Sequence, residues 1–177
     1  LACGAGGDPD RGLTPLGREA VRRMQARGIL PDVSHTSDRS FWDILKLAEG
    51  PVVASHSNCR ALCDVRRNLT DEQLRAIRDT GGVIGVNVYH GFVHAEPRMQ
   101  TAAMLARHAA HIAETIGPEH VACGFDFCEY FGPGNEGCEG MESCAQTGNF
   151  FFELERLGFS AAERQGITSE NLLRVLE

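Results

Sequence analysis

Two histidines, His35 in "PDVSHTSD" (31–38) and His56 in "PVVASHSN" (51–58), each follow a serine at the end of a short apolar run, 21 residues apart. Neighbouring strands lie about 4.8 Å apart. Two imidazoles in register at adjacent strand ends can therefore converge on one metal ion, at zinc–nitrogen distances of about 2.0–2.1 Å. A lone strand-end histidine is usually a hydrogen-bonded structural residue, and two ligands do not close a zinc site, so spacing alone leaves both readings open. Asp126, in "GFDF" (124–127), ends another apolar run. It reads either as a helix-capping carboxylate or as one beside a metal that accepts a proton from bound water. Arg67, in "RRN" (66–68), lies in the polar loop after His56. It reads as a solvated base or as a guanidinium fork for a substrate carboxylate, and its position on the His56 side favours the fork. His90, His94, His108, His111 and His120 have weaker claims. His108 and His111 lie three apart on an expected helix and read as packing or surface, while His90, after a strand, is a minor candidate.

The elements that must position these residues alternate. Thr14 as N-cap and Pro15 as first helical residue open a helix with Leu16, Ala20, Val21 and Met24 on one face, stopped by Gly28. The strand "ILPDVSH" (29–35) follows, then a helix capped by Ser37 or Asp38 and closed by Gly50. A second strand is "PVVASH" (51–56). Thr70 and Gln73 make a capping box ahead of the next helix. "VIGVNVY" (83–89) is a third strand, residues 101–116 a helix, and "VACGFDF" (121–127) a fourth strand. A Gly-rich loop spans 131–148 and the tail is helical. Strands apolar on both faces and alternating with helices indicate an α/β fold with parallel strands. In such folds chemistry collects at the carboxyl ends of the strands, where His35, His56 and Asp126 fall.

The 177 residues are enough for one core, and 42% hydrophobic with 23% charged residues reads as a soluble globular domain. A net charge of −7 gives a nucleic-acid partner no electrostatic support. No apolar run is long enough to span a bilayer. The seven cysteines include no CxxC pair and read as reduced thiols of a cytoplasmic protein; a Cys138–Cys144 disulfide in the Gly-rich loop is the alternative. The chain opens at Leu1 on a loop-like "LACGAGGDPDRG" (1–12), which suggests that the natural protein begins earlier.

The runs "GLTPLG", "DVSH", "ASHSN", "RRNLTDEQLRAI", "GGVIGVN", "GFDF" and "ENLLRVLE", taken in order, resemble the membrane (renal) dipeptidase family of zinc peptidases over nearly the whole chain. The resemblance implies a (β/α)8 TIM-type barrel with a two-zinc site that hydrolyses dipeptides. It implies that His35 and His56 bind the second zinc, that Arg67 holds the substrate's terminal carboxylate, and that Asp126 handles the proton. Two departures stand out. The family's GSDFDG reads "GFDFCE" here, with Cys128 in place of the second aspartate. The His-x-Asp and bridging glutamate of the first zinc have no counterpart before His35. The chain, 1–177, therefore reads as a single partial domain, the C-terminal half of such a barrel with four legible βα units. It is expected to associate as a homodimer through exposed strand edges, and to be inactive alone. Two other readings remain: a different two-metal hydrolase, an amidase or lactonase, on the same barrel, or a non-catalytic half-barrel remnant.

Overall fold

A computed structural model describes residues 1–8 and 10–177. Pro9, inside the opening stretch read as a loop, lies outside the described residues. Helix α1 (Pro15–Gln25) begins where Thr14 Oγ1 accepts the Gly17 N–H at 3.0 Å. Its inward face is Gly17 and Val21, whereas Leu16, expected on that face, is 68% exposed. The start of the chain is the reason: the Leu1 carbonyl lies where a Cβ on Gly17 would sit, and Thr14 donates its N–H to that carbonyl. The start of the chain thus covers α1 at Gly17 and turns Leu16 outward. Helix α2 (Asp38–Leu45) is capped by Ser37 and buries Phe41 and Ile44. Helix α3 (Asp71–Asp79) has the expected capping box: Thr70 Oγ1 accepts from Gln73 N and Gln73 Oε1 from Thr70 N.

Strand β1 (Ile84–Val86) pairs in parallel with β2 (Val121–Cys123), with Gly85 opposite Ala122. The strands expected over 29–35 and 51–56 contract to single parallel bridges, Asp32 to Val53 and Ala54 to Ile84. The cause is competition for backbone donors. Pro31 and Pro51 have none to give. Asp32 Oδ1 takes the N–H groups of Ser34 and Ser55, and Ser34 Oγ takes that of His56. Side chains therefore replace the ladder just where the histidines begin. The four segments still form one parallel layer in chain order.

The short helix α4 (His90–Val93) follows β1, and the long α5 (Ala102–Ile116) packs Leu105, Ala109 and Ile112 on the sheet until Gly117, at φ 101°, ends it. Helices α6 (Thr147–Arg156), α7 (Ala161–Gln165) and α8 (Asn171–Leu176) complete the chain, α7 and α8 being joined by a π-turn over 166–170. The core unites Val52, Ala54, Ile84 and Val86 of the layer with Leu74, Ile77, Phe150 and Leu154 of the helices, each buried completely. The arrangement is α/β. Among the described residues no helix is long and apolar enough to cross a membrane. Cys138 is buried and Cys144 exposed, and all seven thiols are free.

Candidate active site

His35 and His56 leave their shortened strands pointing at each other. Their Nε2 atoms are 2.8 Å apart, with ring centroids at 4.8 Å and planes at 61°. That separation is a hydrogen-bond distance, at which one ring donates and the other accepts. His56 is fixed from behind: its backbone N–H goes to Ser34 Oγ and its Nδ1 lies 2.7 Å from Ser55 Oγ. Burial holds the His56 pKa below the usual histidine value; Asp126 pulls it up and Arg67 pushes it down. Beneath the histidines the backbone is crowded. The Ser55 carbonyl occupies the place of a Cβ on both Gly85 and Gly124, so only glycine fits at either position.

Asp126 follows β2 with φ 59°, in the left-handed region that short polar side chains tolerate. This turn brings its Oδ2 to 3.9 Å from His56 Nε2, and the Asn87 amide donates to the same oxygen at 3.2 Å. Asn87 is itself held by Asn58, which accepts the Asn87 N–H and donates to the Asn87 carbonyl. Cys128 Sγ lies 3.7 Å from Asp126 Oδ1.

Arg67 arrives on the loop between residues 58 and 69. That loop is fastened by Arg60, which grips Asp38 with two bonds of 3.0 and 2.6 Å and donates to the Asn68 carbonyl. Asn68 in turn donates to the carbonyls of Cys63 and Phe92. The Arg67 guanidinium lies over the Phe92 ring, 5.1 Å from its centroid, and its Nη2 is 3.4 Å from His35 Nε2. Among the described residues its buried Nη1 has no partner. Burial lowers the Arg67 pKa, against Asp126 and Asp32, which favour the charge. A buried guanidinium donor with nothing to bond is costly, and it invites an anion.

His35, Arg67, Phe92, Asp126 and Phe131 line one cavity of about 260 Å³. A larger cleft of about 430 Å³, between α5 and the turn before α7, contains none of the four expected site residues. The structure thus brings His35, His56, Arg67 and Asp126 together; of the other histidines, His90 stacks on Tyr89, which lines the same cavity, and His94 accepts the Glu96 N–H. His108 is wholly buried, bonded to Val93 and Cys59; His111 pairs with Asp71 at 2.7 Å; His120 bonds the Gly82 carbonyl. Sequence reading overlooked Asp32, Ser55 and Asn87. The signal lay in the quoted runs: an Asp three residues before one histidine, a Ser directly before the other, and an Asn within the apolar "VIGVNVY".

By donor type the facing imidazoles suit zinc. They are two ligands of the three or more protein ligands a zinc centre takes, and among the described residues no group of three or more His, Cys, Asp and Glu could hold a metal ion. The fit is that of a partial donor set.

Residues 3–177 match the model of the membrane dipeptidase family, Peptidase family M19. The chain is 44% identical over 126 residues to an uncharacterized protein from the pqqA 5′ region of Klebsiella pneumoniae, covering 68% of this chain and 46% of that protein. It is 34% identical over 173 residues to an uncharacterized dipeptidase of Schizosaccharomyces pombe, covering 96% and 40%. Among solved structures, a metallo peptidase from Rhodobacter sphaeroides, liganded with a phosphinate mimic of the dipeptide L-Ala-D-Ala, superposes with a TM-score of 0.84 at 30% identity. That match covers 96% of this chain and 48% of the peptidase. The chain thus spans about half, or somewhat less, of the length of these relatives.

Proposed function

Since this chain belongs to the membrane dipeptidase family, Peptidase family M19, we propose that it forms the substrate-gripping and proton-handling side of a zinc-dependent dipeptidase. The observation that carries the reading is Arg67. Among the described residues its buried Nη1 has no partner, and it belongs to the same cavity that holds Asp126 and His35, with His56 beside them. A free carboxylate is the planar anion that a guanidinium fork takes best. Phe92 beneath the guanidinium and the fastened 58–69 loop leave it little freedom, so substrate binding need not order it. Gripping a terminal carboxylate inside about 260 Å³ restricts the site to short peptides.

His35 and His56 are the residues that would hold the metal. Zinc, when bound, supplies a water that ionises near neutral pH and polarises the peptide carbonyl. Asp126 accepts the proton of the attacking water and returns it to the leaving amine, with Asn87 fixing the carboxylate through Oδ2. We read the four parallel-linked segments as four βα units of a (β/α)8 barrel; the parallel Asp32–Val53, Ala54–Ile84 and β1–β2 pairings in chain order support this. We extend the proposal to a homodimer formed through the outer strand edges, since among the described residues β2 and the 29–35 segment each have a parallel partner on one side only.

The test is dipeptide hydrolysis with zinc titrated in. Two imidazoles should bind zinc weakly, and the 177-residue chain alone should show negligible turnover. Fused to the N-terminal portion of a full-length relative, it should hydrolyse dipeptides, lose activity to a chelator, and lose it again on His56→Ala. A fusion that binds zinc and hydrolyses lactones or other amides but no dipeptide would replace this reading with the other two-metal hydrolase. A fusion that binds no zinc would leave a non-catalytic remnant.

A further inference from the structure

We propose that Ser55 and Asp32 are positioning residues that set the tautomer of His56, keeping Nδ1 protonated and Nε2 bare toward the cavity. The proposal rests on the metal-site reading for its purpose, but its support is a count of protons. Asp32 accepts from four donors: the N–H groups of Ser34 and Ser55 at 3.0 and 3.1 Å, and their hydroxyls at 2.7 and 2.5 Å. Burial raises the Asp32 pKa, but the bonds from Ser55 and Ser34 together hold it below the usual carboxylate value, so Asp32 is a carboxylate with no proton to give. Each serine hydroxyl has one proton. That of Ser34 goes to Asp32 Oδ1 and that of Ser55 to Asp32 Oδ2, so the 3.3 Å contact between the two hydroxyls carries none.

Both serine oxygens are left as acceptors. Ser34 Oγ takes the backbone N–H of His56 at 3.0 Å. Ser55 Oγ lies 2.7 Å from His56 Nδ1, and only a protonated Nδ1 makes that contact a hydrogen bond. The other nitrogen of a neutral imidazole is then bare. It is the nitrogen that faces His35.

His35 differs. Among the described residues nothing bonds its Nδ1, while its Nε2 meets His56 and, at 3.4 Å, Arg67. Ser55 and Asp32 thus hold one ring of the pair from behind, and the other ring has no such partner among the described residues. An outer partner that fixes a ligating histidine in this way is typically worth about 10–100-fold in metal affinity.

The test uses the 177-residue chain with ¹⁵N-labelled histidine, at a pH where imidazole is neutral. Long-range proton–nitrogen spectra should show His56 as the Nδ1–H form in the wild type and in Ser55→Thr, which keeps the hydroxyl, and as a mixture in Ser55→Ala. Zinc titrated against a competing chelator should bind about 10–100-fold more weakly to Ser55→Ala, with Ser55→Thr restoring most of the loss. An Nε2–H form of His56 in the wild type, or spectra unchanged by Ser55→Ala, would overturn the proposal even if zinc binds. If the tautomer follows the prediction and no variant binds zinc, the relay stands and the metal-site reading fails.

Discussion

Lowering the pH from 7 to 4 should destabilise the fold by about 3 kcal/mol through His108 alone. This side chain on α5 is completely buried, donates from Nε2 to the Val93 carbonyl at 2.8 Å, and accepts the Cys59 N–H on Nδ1 at 3.1 Å. The neutral ring is satisfied at both nitrogens, and a second proton would face the Cys59 N–H. Burial pushes its pKa from 6.5 to about 4; the Val93 bond opposes this weakly, and His111 and His94 add to it. The unfolded chain takes up the proton near 6.5 and the folded one resists until about 4. The contribution is therefore fully present above pH 6.5 and is lost as the pH falls toward 4. At about 1.36 kcal/mol per pH unit that interval gives about 3 kcal/mol. Urea unfolding across the range, compared with His108→Gln, isolates the effect. The glutamine amide can accept from Cys59 and donate to Val93, and it does not titrate. Wild type should lose about 3 kcal/mol relative to the variant between pH 7 and 4. Parallel stability curves would refute the reasoning. Because Cys59 lies three residues after His56 and Val93 follows Phe92, the acid form should also loosen the Arg67 loop.

Arg67→Lys, in the active fusion, should raise KM for dipeptides about 10- to 100-fold, because an ammonium cannot reproduce the fork; unchanged kinetics would make Arg67 a surface base. Phe150→Ala should cost about 3–5 kcal/mol in urea unfolding, since the ring is wholly buried and packs edge-on against both Phe125 and Phe151. Gly85→Ala should push against the Ser55 carbonyl, costing about 1–3 kcal/mol and weakening zinc binding by displacing His56; calorimetry and a zinc titration would check both.

What could be read from sequence was mostly local. The caps at Thr14 and Thr70 depend on a few adjacent residues, and they form as expected. The outward turn of Leu16 could not be read, because it depends on Leu1 crossing α1 thirteen residues earlier in the local fold. Nor could the contraction of the first two strands, since Asp32 takes donors from a segment 23 residues away. His35, His56 and Asp126 were legible as types at strand ends and Arg67 as a loop base beside them, and the structure places the four side by side. The relay behind His56 was not legible because it joins Asp32 to Ser55, 23 residues away on the neighbouring strand segment.

The left-handed backbone at Asp126 narrows the future of that position under mutation. At φ 59° an L residue other than Asn or Asp is strained, and Gly alone escapes the penalty. The neighbours of Asp126 in mutational space that keep the turn are thus Asn and Gly, and Asn differs from Asp by a single terminal atom group. On the dipeptidase reading proposed above, one substitution, Asp126→Asn, would therefore remove the proton acceptor and leave the turn, Arg67, Phe92 and the cavity intact. A descendant carrying it would keep the carboxylate grip proposed for Arg67 and lose the cutting step, leaving a peptide receptor in place of a peptidase.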